Sequence, residues 1–574
     1  MIQIISFSIE IFLKYSFLYF VLFFSGRSFL LIIETIYFKK REIPQTILKI
    51  KSQILFPILG VISVGNLLIL VNYFLPLKSN LVFLIITLFN FGNLLSIQKI
   101  QIKKHLTLYN FINFFVFPAI LLISTSDINF HYDAGYYHLN HQNWLRESNM
   151  VVGMVNIFWA FGMSSIYEYL SAVLWIDTSF LLLHYLSLIF IHFFYSFLFF
   201  NILNSKNLKL KNASLLLIFF SIFDNFGLGG GRNGFLYIQG VGKQDIPVAV
   251  LFIFISLIII DYLIEKDLTG RDLIAISLIT FFIFQLKIST IFIYIIFLIL
   301  VFQLVYEKIM RFTKVLYYLI PNILFAIFWF VKSYMTTGCV VFPVNFLCIN
   351  NFDWYVTGST KAYESISTGA SFSYIEYFVS GEGSFIDWFN SFFNSDVYSG
   401  FSSYYRSFYL NFLGSLLIIY LLKRILFNKS NLSKLDNLFI FIFLISNMTY
   451  SIFFGPIPRY TIGILCLSVG ILGFYGKDLK VKINKSAITT LIVISIGLIP
   501  RANSYIGFFE SSEIALFDPT LVSELYNEVP IYDGWIKPDK GDRCFVNLQC
   551  TMHDEEIVLN ENSFFTTAYR LIDN

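Results

Sequence analysis

Charge is what this sequence lacks. Asp, Glu, Lys and Arg make up only 13% of its 574 residues, against roughly 25% in a soluble domain. That scarcity excludes an ordinary soluble enzyme and leaves no basic patch to hold nucleic acid. Proline and cysteine are sparse as well, at 13 and 5 residues. No tandem period is present, which excludes a solenoid or repeat array, and no low-complexity linker divides the chain. The run Gly229-Gly230-Gly231-Arg232 lacks the Gly-Lys-Ser/Thr ending of a phosphate-binding loop. Met1–Ser25 has no small-residue cleavage site and continues as a hydrophobic run, so we expect a first span, not a cleaved signal peptide.

Apolar sequence fills the gap. Hydrophobic residues are 57% of the chain, and the mean hydropathy is +0.72. Windows of about 20 apolar residues recur from Ile11 to Pro500, each long enough to cross a hydrocarbon core of roughly 30 Å. Inside lipid the backbone must satisfy its own hydrogen bonds, so such runs predict helices. We place them at 11–33, 54–76, 81–98, 108–125, 178–203, 213–228, 247–264, 272–286, 289–305, 314–335, 407–422, 437–454, 459–475 and 486–500.

The net charge of +4 says less than the placement of the charges. Basic clusters follow alternate runs: Lys39-Lys40-Arg41; Lys99, Lys103 and Lys104; Lys206, Lys209 and Lys211; Lys266 and Arg271; Lys308 and Arg311; Lys423 and Arg424; Lys477 and Lys480. All then fall on one side of the membrane, which the positive-inside rule makes cytoplasmic. The expected fold is therefore all-α, a polytopic transmembrane helical bundle of about 14 spans with outer-face juxtamembrane helices. Residues 1–500 form the bundle, with outer loops 126–177, 229–246 and 336–406. Residues 501–574 form a small extracytoplasmic tail, whose Cys544 and Cys550 are placed where they can pair. The Phe, Ile, Lys and Asn bias points to an AT-rich bacterial genome, hence to the inner (cytoplasmic) membrane with the working face toward the periplasm or outside.

The outer loops carry the chemistry. His131-Tyr132-Asp133-Ala134-Gly135-Tyr136-Tyr137-His138-Leu139 follows the apolar run 111–124. Ionisable groups at a bilayer boundary are usually paired, hydrated or functional. From Asp133 to Ser148 the spacing predicts an amphipathic helix lying along the outer surface, with Asp133, Tyr137, His141 and Trp144 on one stripe. A second segment, 164–176, carries Glu168 between Tyr167 and Tyr169 and is placed beside it. Asp133 has a purely structural alternative as a helix N-cap, and so does Asp245 ahead of Pro247. His138 and His141 have one as solvated interface residues. Five cations, Arg232, Lys243, Lys287, Lys332 and Arg459, sit near the outer boundary, where positive-inside topology leaves them no role. Several converging there would hold a lipid-linked phosphate; singly, each would be a snorkelling side chain.

An acid in the first large outer loop, a helix after it and a many-spanned bundle resemble the GT-C class of membrane glycosyltransferases. The closer resemblance is to bacterial polytopic proteins associated with surface polysaccharides. It rests on Asp133, Tyr137, His138 and Leu139, then Trp144, then Val152, Gly153 and Asn156. Asp245-x-Pro247, Lys287-x-Ser289, Gly338 with Phe342-Pro343, Asp353-Trp354 and the Cys544/Cys550 pair extend it over most of the chain. Two features depart from the GT-C pattern: about four spans precede the acid, and no large soluble outer domain is present.

The resemblance implies transfer of a sugar from a polyprenyl-phosphate donor to a glycan, lipid or protein acceptor among membrane lipids. Asp133 would be the general base, with Tyr137 and His138 beside it. Arg232, Lys243, Lys287 and Arg459 would bind the donor phosphate. A divalent metal, Mg or Mn, is a further expectation, with Asp133, His138 and Asp245 as its ligands. Two rivals are an O-antigen-type polymerase and a transporter or flippase. The first would lean on arginine-rich outer loops, yet loop 336–406 holds only Lys361 and Arg406 as basic residues. The second would place polar residues near the midplane of broken helices.

The topology makes its own prediction. Single cysteines at Ser371 and Ser512 should react with an impermeant thiol reagent in intact cells, and one at Ser430 should not. The reverse labelling pattern would invert the orientation.

Overall fold

The computed structural model describes residues 2–95, 108–123, 132–175, 180–225, 242, 244–349, 354–355, 374, 381, 383–394, 401–429, 432–454, 457–479, 528–532, 534–538, 543–552, 556–561 and 564–571. Each of the first thirteen segments expected to be apolar helices contains an observed helix; the last, 486–500, lies outside the described residues. Among the described residues, 7 helices are long and apolar enough to cross a membrane: Ile9–Phe38, Ser52–Asn72, Leu182–Asn204, Asp245–Glu265, Phe312–Thr337, Ser407–Leu426 and Lys434–Phe453. Asn80–Leu94, Ile112–Leu122, Ile293–Tyr306 and Arg459–Phe474 are shorter apolar helices.

The helices differ in what surrounds them. Asp245–Glu265 is wrapped on all sides, and Ser52–Asn72 and Leu182–Asn204 nearly so, whereas Phe312–Thr337, Ser407–Leu426 and Lys434–Phe453 leave most of their apolar surface open. A helix that is hydrophobic all round and buried is a core element; one with a bare apolar face needs a nonaqueous neighbour. Small residues set the closest crossing. A Cβ on Gly26 would stand 1.9 Å from the Phe56 carbonyl oxygen, and one on Gly60 at 1.9 Å from that of Leu22. The first two helices therefore touch backbone to backbone, as glycine permits in apolar bundles.

Polar contacts separate the two ends of the bundle. At one end Lys49 pairs with Asp261 and Asp267, each at 2.7 Å. Arg271 binds Glu34 through Nε and Nη2 at 2.6 and 3.0 Å, Lys266 pairs with Glu307 at 2.7 Å and Lys209 pairs with Glu265. At the other end the Leu77 N–H donates to the Leu145 carbonyl at 3.0 Å and Lys332 Nζ to that of Ser164 at 3.1 Å. There too the Ser165 hydroxyl donates to the Leu286 carbonyl at 2.8 Å. Lys49, Lys209, Lys266 and Arg271 thus share one end, and the segments 132–175, 285–290 and 332–342 share the other; Lys99, Lys103, Lys104 and Lys480 lie outside the described residues.

The segment expected to lie on the surface is instead packed inside this second end. A π-helical turn, Ala134–His138, leads into the helix Leu139–Glu147. In that helix Leu139, Asn140, His141, Gln142, Trp144 and Leu145 are all buried. The helix Ile166–Ala172 lies against it, held by Arg146 Nη1 donating to the Ala172 carbonyl at 2.8 Å. The reason is a cover that periodicity could not reveal: the C-terminal tail. Expected as a separate unit, it docks on this loop. Phe545 N–H donates to the Gly135 carbonyl at 2.9 Å, and Val152 makes strand-like bonds to the tail, accepting from Ala568 N–H at 2.9 Å and donating its N–H to Thr566 O at 2.9 Å. Trp144, Met154, Phe158 and Phe161 close a core with Trp535, Ile557 and Ala568. Among its described residues the tail holds two short antiparallel hairpins, Glu528–Tyr532 with Trp535–Pro538 and Glu556–Asn560 with Thr567–Leu571. They are a β addition to a mostly helical protein.

Two disulfides brace this end. Cys544 and Cys550 are joined, and a second bond links Cys339 to Cys348, a pair the sequence reading did not anticipate. The latter closes a loop containing the cis peptide Phe342-Pro343.

Asn156 ties three segments together. Its side-chain amide donates to the Trp354 carbonyl at 2.7 Å and to the Ala568 carbonyl at 2.9 Å, fully buried. Asn156→Ala should remove both buried bonds, costing about 0.5–1.5 kcal/mol for each. Thermal unfolding should register the loss, and limited proteolysis should release the tail. An unchanged digestion pattern would show that the tail docks without it.

Candidate functional site

Three helix ends meet beside the π-helical turn. Asp245 occupies the first turn of Asp245–Glu265, where a carboxylate favours the positive end of the helix dipole. Its N-cap is Gln244, so the capping role weighed for Asp245 is not what its side chain does. Instead Oδ1 receives Lys287 Nζ at 2.5 Å, and Oδ2 lies 4.0 Å from Arg459 Nε. Lys287 leaves the end of Gly270–Leu286 in an extended conformation, which aims its side chain back at Asp245. Arg459 follows Pro458 at the start of Pro458–Phe474.

Tyr460 completes the group. Its hydroxyl accepts from Arg459 Nη2 at 3.0 Å, and the Lys287 ammonium stands 3.7 Å from its ring centroid. A cation over the face of a tyrosine is attracted by the ring quadrupole. Asp133 lies within electrostatic reach of Arg459, and its side chain makes no capping bond to the π-helical turn that follows it. The structure thus brings together Asp133, Asp245, Lys287 and Arg459. One donor in this group has no acceptor: Arg459 Nε is buried without a hydrogen-bond partner among the described residues. At 4.0 Å the Asp245 oxygen is too far to serve.

A second polar cluster lies behind the first. His138 is buried, and its Nδ1 bonds the Glu168 carboxylate. Glu168 Oε2 accepts from Gln142 Nε2 at 2.7 Å, and Gln142 Oε1 accepts from Trp175 Nε1 at 2.8 Å. The interface role considered for His138 therefore gives way to a fixed buried pair. Gly242, in the left-handed region at φ +81°, packs on the imidazole; a Cβ there would come within 2.2 Å of the ring. Tyr137 is half-buried, its ring 3.9 Å from that of His138. Lys332 is buried, with its ammonium 4.4 Å from the Trp329 ring. His141 stacks on Phe161 at 5.2 Å.

Sequence reasoning missed Tyr460 and did not see Glu168 as the partner of His138. Glu168 had left a signal, since a lone acid within an apolar stretch needs a partner. Arg232, Lys243 and Asp353 lie outside the described residues.

Among the described residues no three His, Cys, Asp or Glu side chains converge to hold an ion. Asp245 is engaged by Lys287 and lies 4.0 Å from Arg459. His138 bonds Glu168 through Nδ1, and a carboxylate on one ring nitrogen is the usual support for a histidine that ligates through the other.

Residues 9–466 match a family model described as a domain of unknown function, DUF8201. The chain belongs to this family. No curated protein and no solved structure matches it. The DUF8201 segment takes in Asp133, His138, Glu168, Asp245, Lys287 and Arg459, and the tail hairpins lie beyond it.

Burial holds the His141 imidazole well below its ordinary value, aided by the positive charge of Lys332 and by His138. A histidine lowered in the folded state binds its proton more readily once unfolded, where the value is about 6.5. Its contribution to stability is thus complete above about pH 6.5 and is lost as pH falls below it. Thermal unfolding between pH 8 and pH 5 should show this loss, and His141→Gln should flatten the profile. A variant with the parental slope would assign the pH dependence to other groups.

Proposed function

We propose that this protein is a GT-C-type membrane glycosyltransferase. It takes a sugar from a polyprenyl-phosphate donor at the outer face of a bacterial inner membrane, within a bundle of about 14 spans, and passes it to an acceptor of the cell envelope. The observation that carries this reading is the buried Arg459 Nε donor, unpaired among the described residues, beside Lys287 and within reach of Asp133. A buried N–H without an acceptor is costly, and an anion supplied by the substrate removes the cost.

In the proposed reaction Asp133 accepts the proton of the acceptor hydroxyl. The hydroxyl oxygen bonds to the anomeric carbon as the bond from that carbon to the phosphate oxygen breaks, and the electron pair leaves with the polyprenyl phosphate. A single displacement inverts the anomeric centre. Lys287 and Arg459 stabilise the charge that develops on the departing phosphate.

The charges balance through the step. Before transfer the described group holds two cations, two carboxylates and a phosphodiester monoanion. Afterwards Asp133 is neutral and the phosphate has gained the charge that Asp133 lost. The sum is unchanged, so proton transfer does not have to separate charge in a low-dielectric site. Asp245 fits as the permanent counter-ion that lets two half-buried cations stay together in the absence of substrate.

The transporter reading has less support. Two polar groups inside the bundle are tied into fixed bonds: His192 between the Tyr15 hydroxyl at 2.9 Å and the Asn113 carbonyl at 2.7 Å, and Asn66 to Gln285 at 2.8 Å.

Asp133→Asn keeps the size of the side chain and removes its basicity, so it should abolish transfer while the protein folds normally. Near-parental transfer by that variant would take Asp133 out of the mechanism. Arg459→Gln and Lys287→Gln should each weaken polyprenyl-phosphate binding roughly tenfold to hundredfold, the loss of one charge-assisted hydrogen bond. Arg459→Lys should recover only part of it.

A further inference from the structure

Next to Asp133 the chain builds an aromatic step. Tyr132 and Tyr136 lie one turn apart on the segment that carries Asp133, their ring centroids 5.6 Å apart and tilted by 31°. Trp159 continues the step, 6.1 Å from Tyr136 and edge-on to it. Phe158, itself buried, supports Tyr136 from beneath at 5.1 Å. Tyr132 is 41% exposed, and Tyr136 and Trp159 are half-buried. The tail adds a charge over one face of Tyr132: the Arg543 guanidinium stands over the ring, 4.6 Å from its centroid. Arg543 is brought there by its neighbour Cys544, whose disulfide loop docks through Phe545 on Gly135.

This combination matches one chemical class. A pyranose ring has a patch of C–H groups on its face and hydroxyls around its rim. Partly open aromatic faces take the first, while a carboxylate and a guanidinium at the edge take the second. A lipid tail would need an apolar slot without the charged edge, and a peptide acceptor would need unpaired backbone along its path. We propose that Tyr132, Tyr136 and Trp159, with Arg543 stacked on Tyr132, form a saccharide subsite that holds the acceptor sugar with a hydroxyl toward Asp133. The proposal rests on the transferase reading above and narrows the acceptor from glycan, lipid or protein to a glycan. It also gives the tail a task, since Arg543 and the loop that sets the π-helical turn both come from it.

The test is saturation-transfer NMR on the full-length protein in lipid nanodiscs. The probes are the methyl glycosides of glucose, galactose, N-acetylglucosamine, rhamnose and glucuronic acid. At least one glycoside should receive saturation on its ring C–H protons. Tyr132→Ala and Tyr136→Leu should each weaken that binding by about tenfold, the equivalent of one lost aromatic contact. Tyr136→Phe should restore it. Arg543→Gln should weaken it less, and most for the glucuronide. Tyr132 is exposed enough that its alanine variant should fold, which keeps the test decisive if Tyr136→Leu does not. Saturation of none of the five glycosides, or equal saturation in the parent and in Tyr132→Ala, overturns the subsite. Polyprenyl-phosphate binding is measured on the same samples. If it persists with its dependence on Arg459, the transferase reading stands and only the glycan acceptor falls; if it is absent too, both fall.

Discussion

The buried carboxylate of Asp245 is the constraint around which one end of this molecule is arranged. Taking a charge out of water costs several kcal/mol unless it is paired, and here the pairing comes from two other helices, through Lys287 and Arg459. Each of the three side chains sits at a helix end, where the dipole, an extended exit or a proline sets its direction. The ends of three helices are therefore locked together by electrostatics that none of them could satisfy alone. Apolar packing decides that the helices adhere; this pairing decides which termini meet.

A second arrangement grows from the first. The turn carrying Asp133 and His138 must stay near Arg459 without being part of the same helix. It is held from within by Glu168 on His138, from one side by Gly242 on the imidazole, and from outside by Phe545 on Gly135. Any Cβ at position 242 or 135 would collide with the ring it supports, at 2.2 and 2.6 Å. The close approach of backbone to ring fixes the turn without adding polar groups that would themselves need partners. Asp133 can then face a cationic site while its own segment is buried on the opposite side.

Much of this was legible in the sequence, and for identifiable reasons. Long apolar windows mark helices because lipid-exposed backbone has no other way to satisfy its hydrogen bonds, so the helical segments and their order could be read directly. Lys287 and Arg459 stood out because they broke the charge pattern, and Asp133 and Asp245 because they were acids near apolar runs. What could not be read was how they paired. Asp245 looked like a cap because a cap is a local interaction, visible within four residues; its real partners are 42 and 214 positions away. Tyr460 carried no signal at all among 35 tyrosines. The helix 139–147 was misplaced at the surface because its burial comes from the tail, some 400 residues later, as the bond from Asn143 to the Val546 carbonyl shows.

By itself, then, the sequence determined that this chain forms helices fit for a membrane, that basic clusters follow alternate apolar runs, and that a few ionisable residues depart from that pattern. Those properties follow from local composition and periodicity, which the solvent reads segment by segment. The tertiary structure alone decided that Asp245 would be shared by Lys287 and Arg459, that Glu168 would meet His138, and that the tail would cover the helix after Asp133. Each of these is a contact between distant segments, set by which buried charges can neutralise one another and which apolar surfaces fit, and no local pattern encodes that choice.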